Sequence, residues 1–198
     1  MGRKKTYERG EALRKARDLF WAKGYEGTHL QELVDVTGVN RFSLYSEFGG
    51  KDGLFLEALR DYAEQAKGSY DSVLGRDPLG LPNIRAYFDE IQFSRDYAGC
   101  FVINTLTEKH VVTPDAFKLA KKIAIHAESM FLANLEAAVD SGELWQGRDV
   151  IALSKLLTTI DEGLAIYGIV SPSKDDTEAI VGQLDAVLGP TPASTPTS

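Results

Sequence analysis

Residues 24–55 read GYEGTHLQELVDVTGVNRFSLYSEFGGKDGLF, and the spacing of their glycines decides the fold. Gly24 is placed to end a preceding helix, Gly38 to close a second, and Gly49-Gly50 to break a third. Thr28 and Gln31 have the spacing of a capping box, in which the hydroxyl takes an orphan backbone N–H and the amide reaches back. The helix they open has Leu30, Leu33 and Val34 as its buried side. Asn40 is a good N-cap for the third helix, which buries Leu44 and Phe48. A fourth helix begins at Lys51-Asp52 with Leu54, Phe55, Ala58, Leu59 and Tyr62 apolar. Upstream, Leu13, Ala16 and Phe20 share the face of a first helix, with Leu19 beside it.

The rest of the chain is helical in pattern, with no period-two strand, so the expected class is all-α. Gly75 to Pro82 is a loop by its Gly/Pro density. Helices are expected from Asn83 to about Ser94 and from Cys100 to Leu106. Thr113-Pro114-Asp115 starts a long helix that runs to Ser141-Gly142. Asp149 opens another that reaches Val170, and Asp175 to Leu188 forms the last. The helix from Asp149 has too many apolar positions for one stripe. Leu153, Leu157 and Leu164 form one side, while Ile151, Leu156, Ile166 and Ile169 form another. A helix apolar on two sides is buried on two sides. Residues 190–198 are rich in Pro, Ser and Thr and are expected to be disordered.

Charge is unevenly distributed. The net charge of -7 divides into +2 over residues 1–60 and -9 over the remainder. Seven basic residues fall within the first 17 positions: Arg3, Lys4, Lys5, Arg9, Arg14, Lys15 and Arg17. A basic arm on an acidic body is an electrostatic footprint for nucleic acid, or simply a solvated tail. Cys100 is the single cysteine, which excludes an intramolecular disulfide; it is expected to be a small buried hydrophobe. No apolar run is long enough for a membrane span and none follows Met1–Lys5 as in a signal peptide, so a cytoplasmic location is expected.

Two short helices joined around Thr37-Gly38-Val39 cross steeply, as in a helix-turn-helix. The second helix of such a pair enters the major groove with its amino-terminal residues on base edges. This places Asn40, Arg41, Phe42 and Ser43 nearest the bases. Arg41 can bond guanine O6 and N7 together, and Phe42 can pack on a thymine methyl. Tyr45, Lys51 and the backbone around Thr28 suit phosphates, which fix register without reading sequence.

GYEGT, LVDVTGVNRFSLYSEFG and KDGLF together resemble the DNA-binding domain of TetR/AcrR-type transcriptional regulators over residues 8–55. GCFVIN, residues 99–104, is similar to a segment of some of these regulators. The resemblance implies a helix-turn-helix domain over 1–50, a helical ligand-binding and dimerisation domain over 51–189 and a tail over 190–198. It implies a phosphate-facing role for Thr28, His29, Tyr45 and Lys51, and a base-facing one for Arg41 and Ser43. Phe42 stands where the family commonly has a small residue or proline, and Ser46-Glu47 where an aromatic or histidine is frequent. A repressor released by a small-molecule effector is the implied function. Its partners would be a pseudo-palindromic double-stranded operator and a second copy held through residues 149–188.

For the effector, aromatics gather between residues 87 and 131 and are joined later by Tyr167. Phe88, Phe93, Phe101, Asn104, His126, Met130 and Tyr167 are the candidate ligand contacts. His29, His110 and His126 lack metal-ligand spacing and no cofactor fingerprint is present, so no cofactor or catalytic activity is expected. The alternatives are a helical small-molecule-binding protein or enzyme with an incidental helix-turn-helix, and a protein-binding scaffold.

Overall fold

The computed structural model describes residues 7–93, 97–171 and 173–189. Among the described residues there are ten helices and no strand. The helices are α1 (Arg9–Lys23), α2 (Leu30–Thr37), α3 (Arg41–Phe48), α4 (Gly50–Leu74), α5 (Leu81–Asp89), α6 (Phe101–Thr107), α7 (Pro114–Asp140), α8 (Val150–Val170), α9 (Lys174–Val181) and α10 (Leu184–Leu188). Arg3, Lys4, Lys5, Ser94 and the tail 190–198 lie outside the described residues.

The helix boundaries follow local chemistry. The Glu8 carboxylate takes the N–H groups of Gly10 at 3.0 Å and Glu11 at 2.6 Å, which opens α1. Gly38 ends α2 at φ 71°, a conformation that costs a residue with a Cβ about 1–2 kcal/mol. Two expectations are corrected. The capping box of α2 sits one residue later than Thr28–Gln31: His29 is the N-cap, and its N–H donates to the Glu32 carboxylate at 3.0 Å. The single helix expected over 175–188 is two. Gly182 weakens the helix and the Gln183 N–H turns back to the Ile180 carbonyl at 3.0 Å.

Packing gathers the chain into two compact units, residues 1–66 with 98–124 and residues 67–97 with 125–198. The first, unit 1, therefore takes in α6 as well as the amino-terminal helices, and the packing does not divide at residue 50. Its core is aromatic. The Phe55 ring meets Phe20 at 5.0 Å, Tyr25 at 5.0 Å and Phe101 at 5.4 Å, all edge to face. Ala12, Ala16, Leu33, Leu44, Phe48 and Leu59 complete it. Leu13, Leu19, Leu30 and Val34, expected in that core, are half-buried at its margin. In α4, Gly53 lies so close to the end of α3 that a Cβ there would run into the Phe48 carbonyl. The glycine of KDGLF is what lets the two helices meet.

Unit 2 has a core of Leu74, Leu81, Ile84, Phe88, Phe131, Leu135, Leu144, Leu153, Leu157, Leu164, Leu184 and Leu188 with neighbouring residues. Two polar networks cross it. Asn134 is fully buried and fully bonded. Its Oδ1 takes the Gly80 N–H at 3.0 Å and Asn83 Nδ2 at 3.1 Å, and its Nδ2 donates to the Leu74 and Met130 carbonyls at 2.8 and 2.9 Å. This satisfies backbone groups that the 75–80 loop would otherwise leave orphaned. The second network centres on Asp161, on the core side of α8. Its two carboxylate oxygens accept from Tyr70 at 2.8 Å and Tyr87 at 2.9 Å, and those two rings stack 5.3 Å apart.

Burial holds the Asp161 carboxyl above the ordinary 3.8, against the lowering effect of both tyrosine hydroxyls, and pushes the Tyr87 phenol up as well. The folded protein therefore retains a proton at a pH where the unfolded chain has lost it. The resulting stabilisation is whole below the unfolded value and is lost as pH rises toward the raised one. Asp161→Asn removes the cost of ionising the carboxyl above that window, so its melting temperature at pH 7 is expected above wild type; one equal or lower contradicts this. Gly53→Ala is expected to cost about 1–3 kcal/mol by overpacking. An unfolding midpoint in urea equal to wild type would show that α3 and α4 meet more loosely.

Candidate nucleic-acid interface

The amino-terminal half of α3 is held in place from behind and bare in front. Leu44 and Phe48 are buried at 0% and 5% exposure, while Phe42 is 81% exposed and Tyr45 59%. Burying a phenylalanine ring stabilises by about 1.5–3 kcal/mol, which Phe42 forgoes in the lone chain. Arg41 is exposed and has no ion-pair or hydrogen-bond partner among the described residues. Ser43 is half-buried and its N–H donates to Asn40 Oδ1 at 2.9 Å. Asn40, expected on the bases, therefore uses its carbonyl oxygen as the helix cap.

The flanking residues are placed less uniformly. His29 is exposed at the start of α2. Thr28, expected to face phosphate, is fully buried; its hydroxyl donates to the Gly24 carbonyl at 2.7 Å and its N–H to that of Tyr25 at 3.3 Å. Thr28 thus shapes the turn with its side chain turned inward. Lys51 is half-buried with Nζ 4.2 Å above the Tyr25 ring, and burial lowers its ammonium pKa. The Tyr25 hydroxyl donates to Asp52, and burial, with Asp52 adding to it, pushes that phenol up to about 12. Tyr45 covers Gly50, where a Cβ would come within 2.9 Å of its ring.

Among the described residues of the basic arm, three cations are paired with acids. Arg9 pairs with Glu57 at 2.7 Å, Lys15 with Glu11 at 2.8 Å and Arg17 with Asp61 at 2.9 Å, while Lys23 pairs with Glu32. Pairs at the surface contribute little stability, but each cancels the charge it carries at a distance. Arg41 has no such neutralising partner among the described residues.

The seven residues expected at an effector site are not equivalent. Phe101 is buried in the core of unit 1, edge-on to Phe55 and Tyr62. Asn104 donates to the Ala98 carbonyl at 3.0 Å in the same unit. In unit 2, Phe88 is buried and stacks on Phe131 at 5.6 Å, and His126 pairs with Asp71 at 2.7 Å. Phe93 and Met130 are half-buried against the unit 2 core, and Tyr167 is 39% exposed. The sequence reading missed Tyr70 and Asp161. An acid at the core-facing position four residues after Leu157, inside an apolar run, was the available signal.

The second apolar side of α8 is uncovered in the chain alone. Ile151, Leu156, Ile166, Ile169 and Val170 are 57%, 45%, 53%, 53% and 76% exposed. Gly163 lies among them with nothing within 4 Å of a would-be Cβ. Gly168 is instead buried under the Phe93 ring of its own chain. Cys100 is half-buried at the start of α6, its sulfur 3.6 Å from the Tyr62 hydroxyl.

Comparison with known proteins agrees with this arrangement. Residues 12–58 match the family model for bacterial regulatory proteins of the tetR family. The Escherichia coli transcriptional repressor ComR is 33% identical over 192 residues, covering 91% of this chain and 89% of its own. The Bacillus subtilis transcriptional regulator YezE is 31% identical over 180 residues, covering 88% and 93%. A cysteine-substituted form of the TetR family regulator CifR, solved with a 26bp double-strand operator DNA, superposes with a TM-score of 0.79. It is 25% identical and covers 95% of this chain and 100% of that one. The chain belongs to the tetR family of bacterial regulatory proteins.

Proposed function

We propose that this chain is a cytoplasmic, homodimeric repressor that reads a pseudo-palindromic operator and is released from it by a small molecule. The observation that carries the reading is the bare front of α3. An arginine without a partner among the described residues and an almost fully exposed phenylalanine stand on a short helix anchored from behind by Leu44 and Phe48. That chemistry fits base edges, with Arg41 on guanine and Phe42 on a thymine methyl. His29, Tyr45 and Lys51 are assigned to phosphates, with Lys51 leaving the Tyr25 ring to reach one. Residues 1–50 would serve DNA reading and residues 51–189 effector binding and pairing. ComR is a repressor and CifR was solved on operator DNA, which supports the same roles here. Since the relatives are regulators, we assign no catalytic step to the chain.

Pairing is assigned to α8 with α9 and α10. Apolar side chains left in water from Ile151 to Val170 favour a second copy, and Gly163 admits a close approach. The effector is assigned to unit 2, near Phe93, Met130 and the Tyr70–Tyr87–Asp161 network. A carboxyl held by two tyrosine hydroxyls beside an apolar core is the kind of feature that fits a polar group of a ligand. The effector acts by binding two arrangements of the paired heads unequally.

On duplexes that the wild-type protein selects from a random pool, Arg41→Ala is expected to lose discrimination worth about 1–3 kcal/mol at one base pair. Lys51→Ala should instead weaken binding to all duplexes and flatten the salt dependence by about one phosphate contact. Fluorescence anisotropy across a salt series separates them, and identical behaviour of the two variants contradicts the assignment. Sedimentation of the wild type should give twice the 21.7 kDa chain mass, and that of Ile166→Glu a single chain. A variant that remains paired would move the interface elsewhere.

A further inference from the structure

The loop between α1 and α2 is tied to a residue far outside the segment that matches the family model. Glu108, immediately after α6, accepts hydrogen bonds from the Tyr25 N–H at 2.8 Å and the Glu26 N–H at 3.2 Å. Neither donor is used within the loop, so the carboxylate satisfies groups that the end of α1 leaves free. The fit is close on the other side too. Gly24, at φ 74°, faces the same carboxylate, and a Cβ there would lie 2.7 Å from its oxygen. The rest of α6 is docked on the same unit. The Trp21 indole donates to the Gly99 carbonyl at 2.6 Å, and Phe101 packs edge-on to Phe55 and Tyr62. The GCFVIN stretch and Glu108 thus act as one brace, attached at both ends of α6.

The loop that Glu108 holds is where α2 departs. Thr28 closes it from within, and His29 caps α2 directly afterwards. α2 packs against α1 and α3. We propose that Glu108 is a positioning residue for DNA reading. It acts through the Tyr25–Glu26 backbone to fix the entry of α2, and through α2 the presentation of α3. This rests on the operator-binding reading above.

The sign of the effect separates this from simple electrostatics. Removing an acid from a DNA-binding head ordinarily strengthens binding to every duplex, because repulsion of phosphate is relieved. Positioning predicts the reverse for the operator alone. The test uses the full chain and a labelled duplex selected from a random pool by the wild type, with a scrambled duplex of equal length beside it. Failure of the wild type to select any sequence would remove the operator-binding reading itself. If it selects one, Glu108→Ala is expected to bind that duplex about tenfold more weakly. The scrambled duplex should be bound as well as by wild type or better. Glu108→Gln, which keeps one acceptor oxygen and the side-chain length, is expected to fall between, and it decides the matter if the alanine variant does not fold. Amide exchange at Tyr25 and Glu26 should speed up in both variants while exchange in the α4 core does not. Operator binding within twofold of wild type for both variants, or an equal rise on both duplexes, overturns the proposal.

Discussion

Phe55 is the point at which unit 1 is assembled. Phe20 from α1, Tyr25 from the following loop and Phe101 from α6 all set their edges against its ring, within 5.0–5.4 Å. Edge-to-face pairs of this kind contribute about 0.5–1.5 kcal/mol each beyond the area they bury, and they fix angles as well as distances. Helices as short as α2 and α3, eight residues each, are not stable alone in water. They persist because Leu33, Leu44 and Phe48 reach a core already organised around this cluster. The bare front of α3 is a consequence of that anchoring from behind. With Leu44 and Phe48 buried, the remaining face is free to stay polar and aromatic in solvent.

The parts of the fold that sequence made legible are those set by local backbone chemistry. Gly24, Gly38 and Gly49 have positive φ where helices were expected to end, and Asn40 and Asp149 cap the helices they were expected to open. The two apolar sides of α8 follow from helical period alone. What could not be read depends on which residues meet across the chain. A hydroxyl that can cap a helix can also turn inward, as Thr28 does, and a histidine then takes the end of the helix. The charges of α1 looked like a basic arm because Glu57 and Asp61, over forty residues away, are invisible to a local count. Phe101 and Phe88 looked alike in composition, yet the packing assigns them to different units. Glu108 carried no local signal at all, since its partners are backbone groups.

Unit 2 shows a different economy. Its core is aliphatic, but it contains a fully bonded asparagine and an acid kept from ionising easily by its surroundings. Asn134 answers a structural need, the backbone of the 75–80 loop. Asp161 serves differently, as the shared acceptor of the Tyr70 and Tyr87 hydroxyls. α8 carries Asp161 on its core side and the uncovered apolar residues on the opposite one, so one helix joins the proposed effector centre to the proposed pairing surface.

The central claim is that a twofold assembly presents α3 twice to the major groove. Selection of bound duplexes from a random pool by the full-length chain, followed by sequencing, tests it most directly. The account predicts enrichment of an inverted repeat whose half-site centres are separated by about 34–36 Å of helix, or a multiple of that distance. A pool that fails to enrich, or that enriches a single half-site without its mirror, would contradict it.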